Sequence, residues 1–258
     1  MRHVAKSSPI QGPVPGARID RDAPVLVPSG DLPPRTIPTG SLALDAALGG
    51  GLPIGVAVLV EAEEGAGSTE FALSVLRAVV RARGGHHVRF LSALRSPARV
   101  EAEARELFAD ARDAQAIDIR AIRPDQAAAD CLAALEDLGP GDVLVIESAS
   151  ALARFEAGKD LAMLMQNLGN IASETASLVL LLHAPGTLPP QVECSLAEAA
   201  DGFLSFRWRD GGPTRRRILM IKKLRGLAPV LDGEQIPVFE VSLHKGVGFA
   251  MSKVRNLV

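Results

Sequence analysis

The chain has 258 residues, 47% apolar and 22% charged, enough to bury one large core or two modest ones, which excludes wholesale disorder. A formal net charge of -2, 3% aromatics and no tyrosine exclude a globally basic nucleic-acid binder and weaken any mode that relies on stacked bases. Two cysteines, Cys131 and Cys194, give no disulfide framework, and no apolar run reaches the roughly 18 residues of a membrane span, so the expectation is a cytoplasmic protein without membrane contact.

Residues 1–36 carry Pro9, Pro13, Pro15, Pro24, Pro28, Pro33 and Pro34 with no helical period, and read as a proline-rich arm or linker ahead of a core over 37–258. The first regular unit is a strand over Val56–Val60, a glycine-rich turn, and a helix from about Thr69 to Arg83. That helix repeats Ala72, Val75, Leu76, Val79 and Val80 along one stripe. A strand over His87–Ser92 and a helix over Pro97–Ala109 follow, with proline in the helix's first turn. Ile117–Ile122 reads as a strand, and the next helix buries Cys131, Leu135 and Leu138, which makes Cys131 a packing residue. Val143–Ile146 and Leu178–Leu182 have the unbroken apolar character of central parallel strands, and between them Leu161, Leu164, Met165, Leu168 and Ile171 mark a helix. Beyond Gly202 the pattern changes to antiparallel strands over Phe203–Arg209, Arg215–Leu224 and Val238–Phe249, expected to extend one edge of the same sheet. The fold class is α/β, a mostly parallel sheet with helices on both faces and antiparallel C-terminal strands.

In such sheets ligands bind beyond the carboxyl ends of the strands, where the loop Ala62-Glu63-Glu64-Gly65-Ala66-Gly67-Ser68-Thr69 lies. Its length and frame are those of a phosphate-binding P-loop, whose glycines let backbone N–H groups face an anion at a helix N-terminus. Two positions depart from the frame: Ala62 stands where the first glycine is expected, and Ser68 stands where lysine is expected.

Three ordered segments carry a family resemblance. Upstream, Ile37-Pro-Thr-Gly-Ser-Leu-Ala-Leu-Asp45 through Leu48-Gly-Gly-Gly-Leu-Pro-Ile-Gly55 resembles the lead-in to the ATPase core of the RecA, RadA and KaiC superfamily. Val143-Leu-Val-Ile-Glu147-Ser148-Ala149-Ser150 is similar to its Walker B strand, and Lys223-Leu224-Arg225-Gly226 is similar to the late KaiC-type segment. The resemblance covers about residues 37–250. It implies a RecA-like P-loop fold, with ATP held by Gly65, Ala66, Gly67, Ser68, Thr69 and Glu70, and Mg2+ held by Thr69 and Glu147. It further implies that Lys223 and Arg225 reach a neighbouring subunit's nucleotide, so the partners are a second copy or a RecA/KaiC-like paralogue.

The chemistry that the resemblance implies is incomplete. Phosphoryl transfer needs a clamped γ-phosphate, a held metal and an oriented water. Ser68 offers one neutral hydrogen bond in place of an ammonium, and Glu147 replaces the usual aspartate. Where KaiC-like proteins carry paired glutamates after the second core strand, this chain has Leu94 and Arg95, neither able to act as a general base. Glu63, Glu64 and Glu70 are the nearby carboxylates that could substitute. The expectation is a pseudo-ATPase acting as a regulatory or assembly subunit. Alternatives are a DNA-stimulated ATPase of recombination or repair, or a DNA-binding architectural protein.

DNA would bind through Arg207, Arg209, Arg215, Arg216, Arg217 and Lys222, which lie with Lys223 and Arg225 in a segment whose one acid is Asp210, and Phe206 and Trp208 are the stacking candidates. Alternate charged residues of a half-exposed hairpin give the same pattern. His86, His87, His183 and His244 have no metal-ligand spacing; His183 ends a core strand, where related proteins often place a polar residue that senses the nucleotide.

Overall fold

The computed structural model describes residues 36–82, 87–155, 160–211, 214–225, 238–244 and 248–253. All of them belong to the unit Pro33–Val258. The proline-rich arm, apart from Thr36, lies outside the described residues, as do His86 and Gly226.

The lead-in folds as a small clasp. Strand β1 (Thr36–Ile37) pairs antiparallel with β2 (Leu52–Pro53), and helix α1 (Leu42–Ala47) lies between them in sequence. The glycine run after α1 is obligatory at Gly51. Its φ is +133°, and a Cβ there would stand 2.1 Å from the Ile37 carbonyl oxygen. Asp45 accepts from the Thr39 amide (2.9 Å) and hydroxyl (2.7 Å). Burial, outweighing those bonds, raises the Asp45 pKa above its ordinary value.

The central sheet has nine strands among the described residues, in the order β11-β10-β9-β8-β3-β7-β6-β4-β5. Its parallel part comprises β3 (Val56–Ala62), β4 (Val88–Ser92), β5 (Asp118–Ala121), β6 (Val143–Glu147), β7 (Leu178–His183) and β8 (Gly202–Gly211). From β8 the direction alternates through β9 (Thr214–Leu224), β10 (Val238–His244) and β11 (Gly248–Lys253). The antiparallel extension was expected, but Val238–Phe249 is divided between two strands, β10 and β11, paired antiparallel.

Alternation along each buried strand sorts the core into two layers. Val56, Val58 and Val60 of β3 face a layer with Phe71, Val75, Leu76 and Val79 of α2 (Ser68–Ala82), whereas Ala57 and Leu59 face a layer with Met165, Leu168 and Ala172 of α7 (Leu161–Thr175). Helices α3 (Pro97–Leu107) and α5 (Ala127–Glu136) stand where the sequence puts them, α3 ending before Ala109, and Cys131 is buried in the core. The short helices α4 (Ala111–Gln115) and α6 (Ala149–Phe155), and α8 (Pro190–Ala199), were not expected; each is too short or too weakly periodic to stand out. No helix among the described residues is long and apolar enough to cross a membrane.

Candidate functional site

The loop between β3 and α2 is built on an aromatic floor. Phe71 of α2, Phe206 of β8 and Phe249 of β11 are mutually in contact, with ring centroids 5.2, 5.6 and 5.9 Å apart. Above them Gly65 (φ +71°) and Gly67 (φ +107°) take left-handed conformations open to glycine, and the Ala66 amide closes a turn onto the Glu63 carbonyl at 2.9 Å. A Cβ on Gly67 would touch the Phe249 ring at 3.4 Å.

The β8–β9 hairpin pins this loop from outside. The Trp208 amide donates to the Glu63 carboxylate (2.9 Å), its indole N–H donates to the Glu64 carbonyl (2.9 Å), and Arg217 Nε donates to the Gly65 carbonyl (2.9 Å). Arg217 also lies 4.5 Å over the Trp208 ring. With the carbonyls drawn to the hairpin, the amides of Gly67, Ser68 and Thr69 find no acceptor among the described residues, the ordinary condition of a helix's first turn. Two clefts flank the loop. One, of about 530 Å³, is bounded by Gly65, Ser68, Thr69, Glu70, Arg95 and Glu103. The other, of about 490 Å³, is bounded by Ser68, Thr69, Leu94, Glu147, Ser150 and His183.

The carboxylate expected to hold a metal is already taken. Ser92 and Glu147 are register partners at the ends of β4 and β6, and the Ser92 hydroxyl donates to Glu147 Oε2 at 2.7 Å. Arg95 grips the same carboxylate from the other side: Nε donates to Oε2 at 3.2 Å and Nη2 donates to Oε1. Its Nη1 donates to Glu103, and its amide donates to the Ser92 hydroxyl at 3.0 Å. Glu147 keeps 8% and Arg95 17% of side-chain exposure, so this pair is nearly dry. Burial works against the guanidinium charge, but the bonds and charges of Glu147 and Glu103 exceed it and hold the Arg95 pKa above its usual value. Among the described residues no group of three His, Cys, Asp or Glu could hold a metal ion. Thr69 and Glu147 do share a cleft, but with both Glu147 oxygens engaged by a cation this donor set does not fit Mg2+. A phosphate group fits the loop better, because the amides from Gly67 to Thr69 are free to receive it.

His183 ends β7 in the second cleft with its side chain 1% exposed. Its Nε2 lies 3.1 Å from Glu193, which also accepts from the amides of Gly186 (2.7 Å) and Leu188 (3.3 Å). The carboxylate accepts, so Nε2 donates, and Nδ1 is left buried without a hydrogen-bond partner, the one such side-chain atom among the described residues.

Lys223 and Arg225 are not brought to the loop within the chain. Ala62 at the loop pairs with Phe206, whereas Leu224 pairs with Gly202, a partner of Val58 toward the opposite end of the sheet. There Lys223 Nζ caps α8, donating to the carbonyls of Glu198 (3.0 Å) and Ala200 (2.6 Å), and Arg225 pairs with Asp201 at 3.0 Å.

The basic hairpin is less bare than its sequence. Glu61 of β3 takes Arg207 (2.9 Å) and Lys222 (3.6 Å), Glu240 of β10 takes Arg216 (3.0 Å), and Asp210 takes Arg215 (3.5 Å). Arg209 is exposed and has no such partner among the described residues. Local counting found Asp210 alone because Glu61 and Glu240 arrive from other strands. Ser92 was missed for the same reason, whereas Glu103 and Glu193 lie in the helices that follow Arg95 and His183 and were missed because no periodic pattern marks those turns.

Comparison with solved structures places the fold. The flagellar accessory protein FlaH of Methanocaldococcus jannaschii superposes with a TM-score of 0.68 at 17% identity, covering 84% of this chain and 98% of its own. A KaiC-like protein of Pyrococcus horikoshii superposes with a TM-score of 0.67 at 17% identity, covering 85% of this chain and 100% of its own. The RecA-like fold is therefore that of this chain. No curated protein matches the sequence. A family model matches residues 36–250. The chain belongs to that family, described as a family of unknown function, DUF7125.

Proposed function

We propose that the chain is a non-hydrolysing member of the RecA/KaiC-like superfamily. It keeps the phosphate loop as a binding and regulatory element and acts as a regulatory or assembly subunit, with a second copy or a RecA/KaiC-like paralogue as partner. The observation that carries this reading is the Arg95–Glu147 pair. The residue standing where the resemblance implies a water-activating glutamate is a cation, and it occupies the carboxylate that would hold the metal. The loss of the clamping lysine at Ser68 acts in the same direction.

In this reading ATP is held at the loop Gly65, Ala66, Gly67, Ser68 and Thr69, through the amides from Gly67 to Thr69, with Glu70 in the first helical turn. Lys223 and Arg225 lie far from their own loop, which supports a role for them at a neighbouring subunit's nucleotide. DNA contact through Arg207, Arg209, Arg215, Arg216, Arg217 and Lys222 is the weaker reading, because most of these cations already hold acceptors from the same sheet.

The test is ATP turnover by the purified chain with magnesium, alone and with DNA. No turnover is expected. Hydrolysis that disappears in Glu147→Gln or Thr69→Ala overturns the proposal.

A further inference from the structure

A buried carboxylate in a ligand cleft must be neutralised, by a metal, a proton or a side-chain cation. Glu147 meets that demand internally. Arg95 spans it with two nitrogens, neutralising the buried Glu147, and reaches the more exposed Glu103 with a third. A divalent ion seated on Glu147 would have to lie against that guanidinium, cation upon cation in a nearly dry site.

The pairing consumes three of the five guanidinium N–H donors, and Arg95 lines the same cleft as Gly65, Gly67, Ser68 and Thr69. The amides of Gly67, Ser68 and Thr69 have no acceptor among the described residues, so the donors on this side of the cleft face an incoming ligand together with the guanidinium.

We propose that Arg95 is a resident cation in the place of a divalent metal, so that the cleft takes a phosphate-bearing ligand in its metal-free form. The proposal rests on the reading of the loop as a phosphate site. It deepens that reading by fixing which form of the ligand is bound and which residue decides it.

Calorimetric titration with ATP, once in EDTA and once in excess Mg2+, tests it on the wild-type chain. Affinity in EDTA is expected within about threefold of that with Mg2+; a loss of about tenfold or more in EDTA, near 1.4 kcal/mol, overturns the proposal, as does binding in neither condition. Thermal unfolding supplies the second arm. Arg95→Ala strands Glu147, so its Tm should fall by roughly 10 °C, recover with millimolar Mn2+, and recover without metal in Arg95→Ala/Glu147→Gln. The wild-type Tm should ignore Mn2+. An Arg95→Ala chain indifferent to Mn2+, or a wild-type chain stabilised by it, overturns the proposal. If Arg95→Ala does not fold, the wild-type measurements decide alone. ATP turnover by the wild-type chain would defeat the functional reading separately, since binding and stability, not turnover, decide the metal question.

Discussion

The indole N–H of Trp208 donates to the main-chain carbonyl of Glu64 at 2.9 Å, across 144 residues of sequence. The chain's single tryptophan therefore sits on the loop between β3 and α2, and with no tyrosine present its fluorescence is a native reporter of that loop. Trp208→Phe keeps the ring and removes this bond. The expected result is a loss of about 1 kcal/mol in urea unfolding, with faster amide exchange confined to residues 63–67. Unchanged exchange there would show that the indole does not hold the loop.

Ser68→Lys should tighten ATP binding. A charged hydrogen bond is worth roughly 1.5 to 3 kcal/mol against about 1 for a neutral one, so the gain expected by calorimetry is about tenfold. No gain in affinity would mean that the side chain at position 68 does not face the ligand. Turnover should stay absent, because Arg95 still occupies Glu147.

Lys223→Ala separates a capping role from a role between subunits. Loss of its bonds to the last carbonyls of α8 should cost about 1 kcal/mol of stability in the isolated chain. If it also weakens self-association measured by sedimentation, Lys223 serves both roles. If association is unaffected, it serves only the helix.

Stability should depend on pH in two opposed ways. Asp130, hydrogen-bonded by Arg123, has its pKa lowered below 3.8, so its contribution is present above that value and is lost as pH falls through the lowered one. Asp118 has its pKa lowered likewise, burial opposing the shift and Arg120 and Arg89 overcoming it. Asp45 has the opposite sign. Burial raises its pKa, so its contribution is full below 3.8 and fades as pH rises through the raised value. Urea unfolding between about pH 3 and 7 should therefore show a shallower acid loss in Asp130→Asn, and in Asp45→Asn a gain over the wild type that grows with pH. Parallel curves for Asp130→Asn and the wild type would exclude the first assignment.

The core was legible in the sequence because its strands are continuous apolar runs and its long helices keep a 3.6 period. The stripe of α2 and the interior strands Val143–Glu147 and Leu178–His183 follow from that alone. The loop frame was legible too, since Gly65 and Gly67 are required by backbone geometry at fixed positions. What was not legible is pairing. Arg95 reads in sequence as the loss of a base, and only the register of β4 against β6 makes it the partner of Glu147. Arg207 and Lys222 read as a bare basic patch until β8 and β3 align and Glu61 meets them. Such contacts join residues more than 50 positions apart, beyond the reach of any local pattern.

The three phenylalanines under the loop belong to three different elements, α2, β8 and β11, yet pack as one unit. They give the loop a packed aromatic base in place of a cavity into which it could settle. Trp208 and Arg217 tie the loop's carbonyls to the hairpin, so a shift of the loop bears directly on the edge of the sheet.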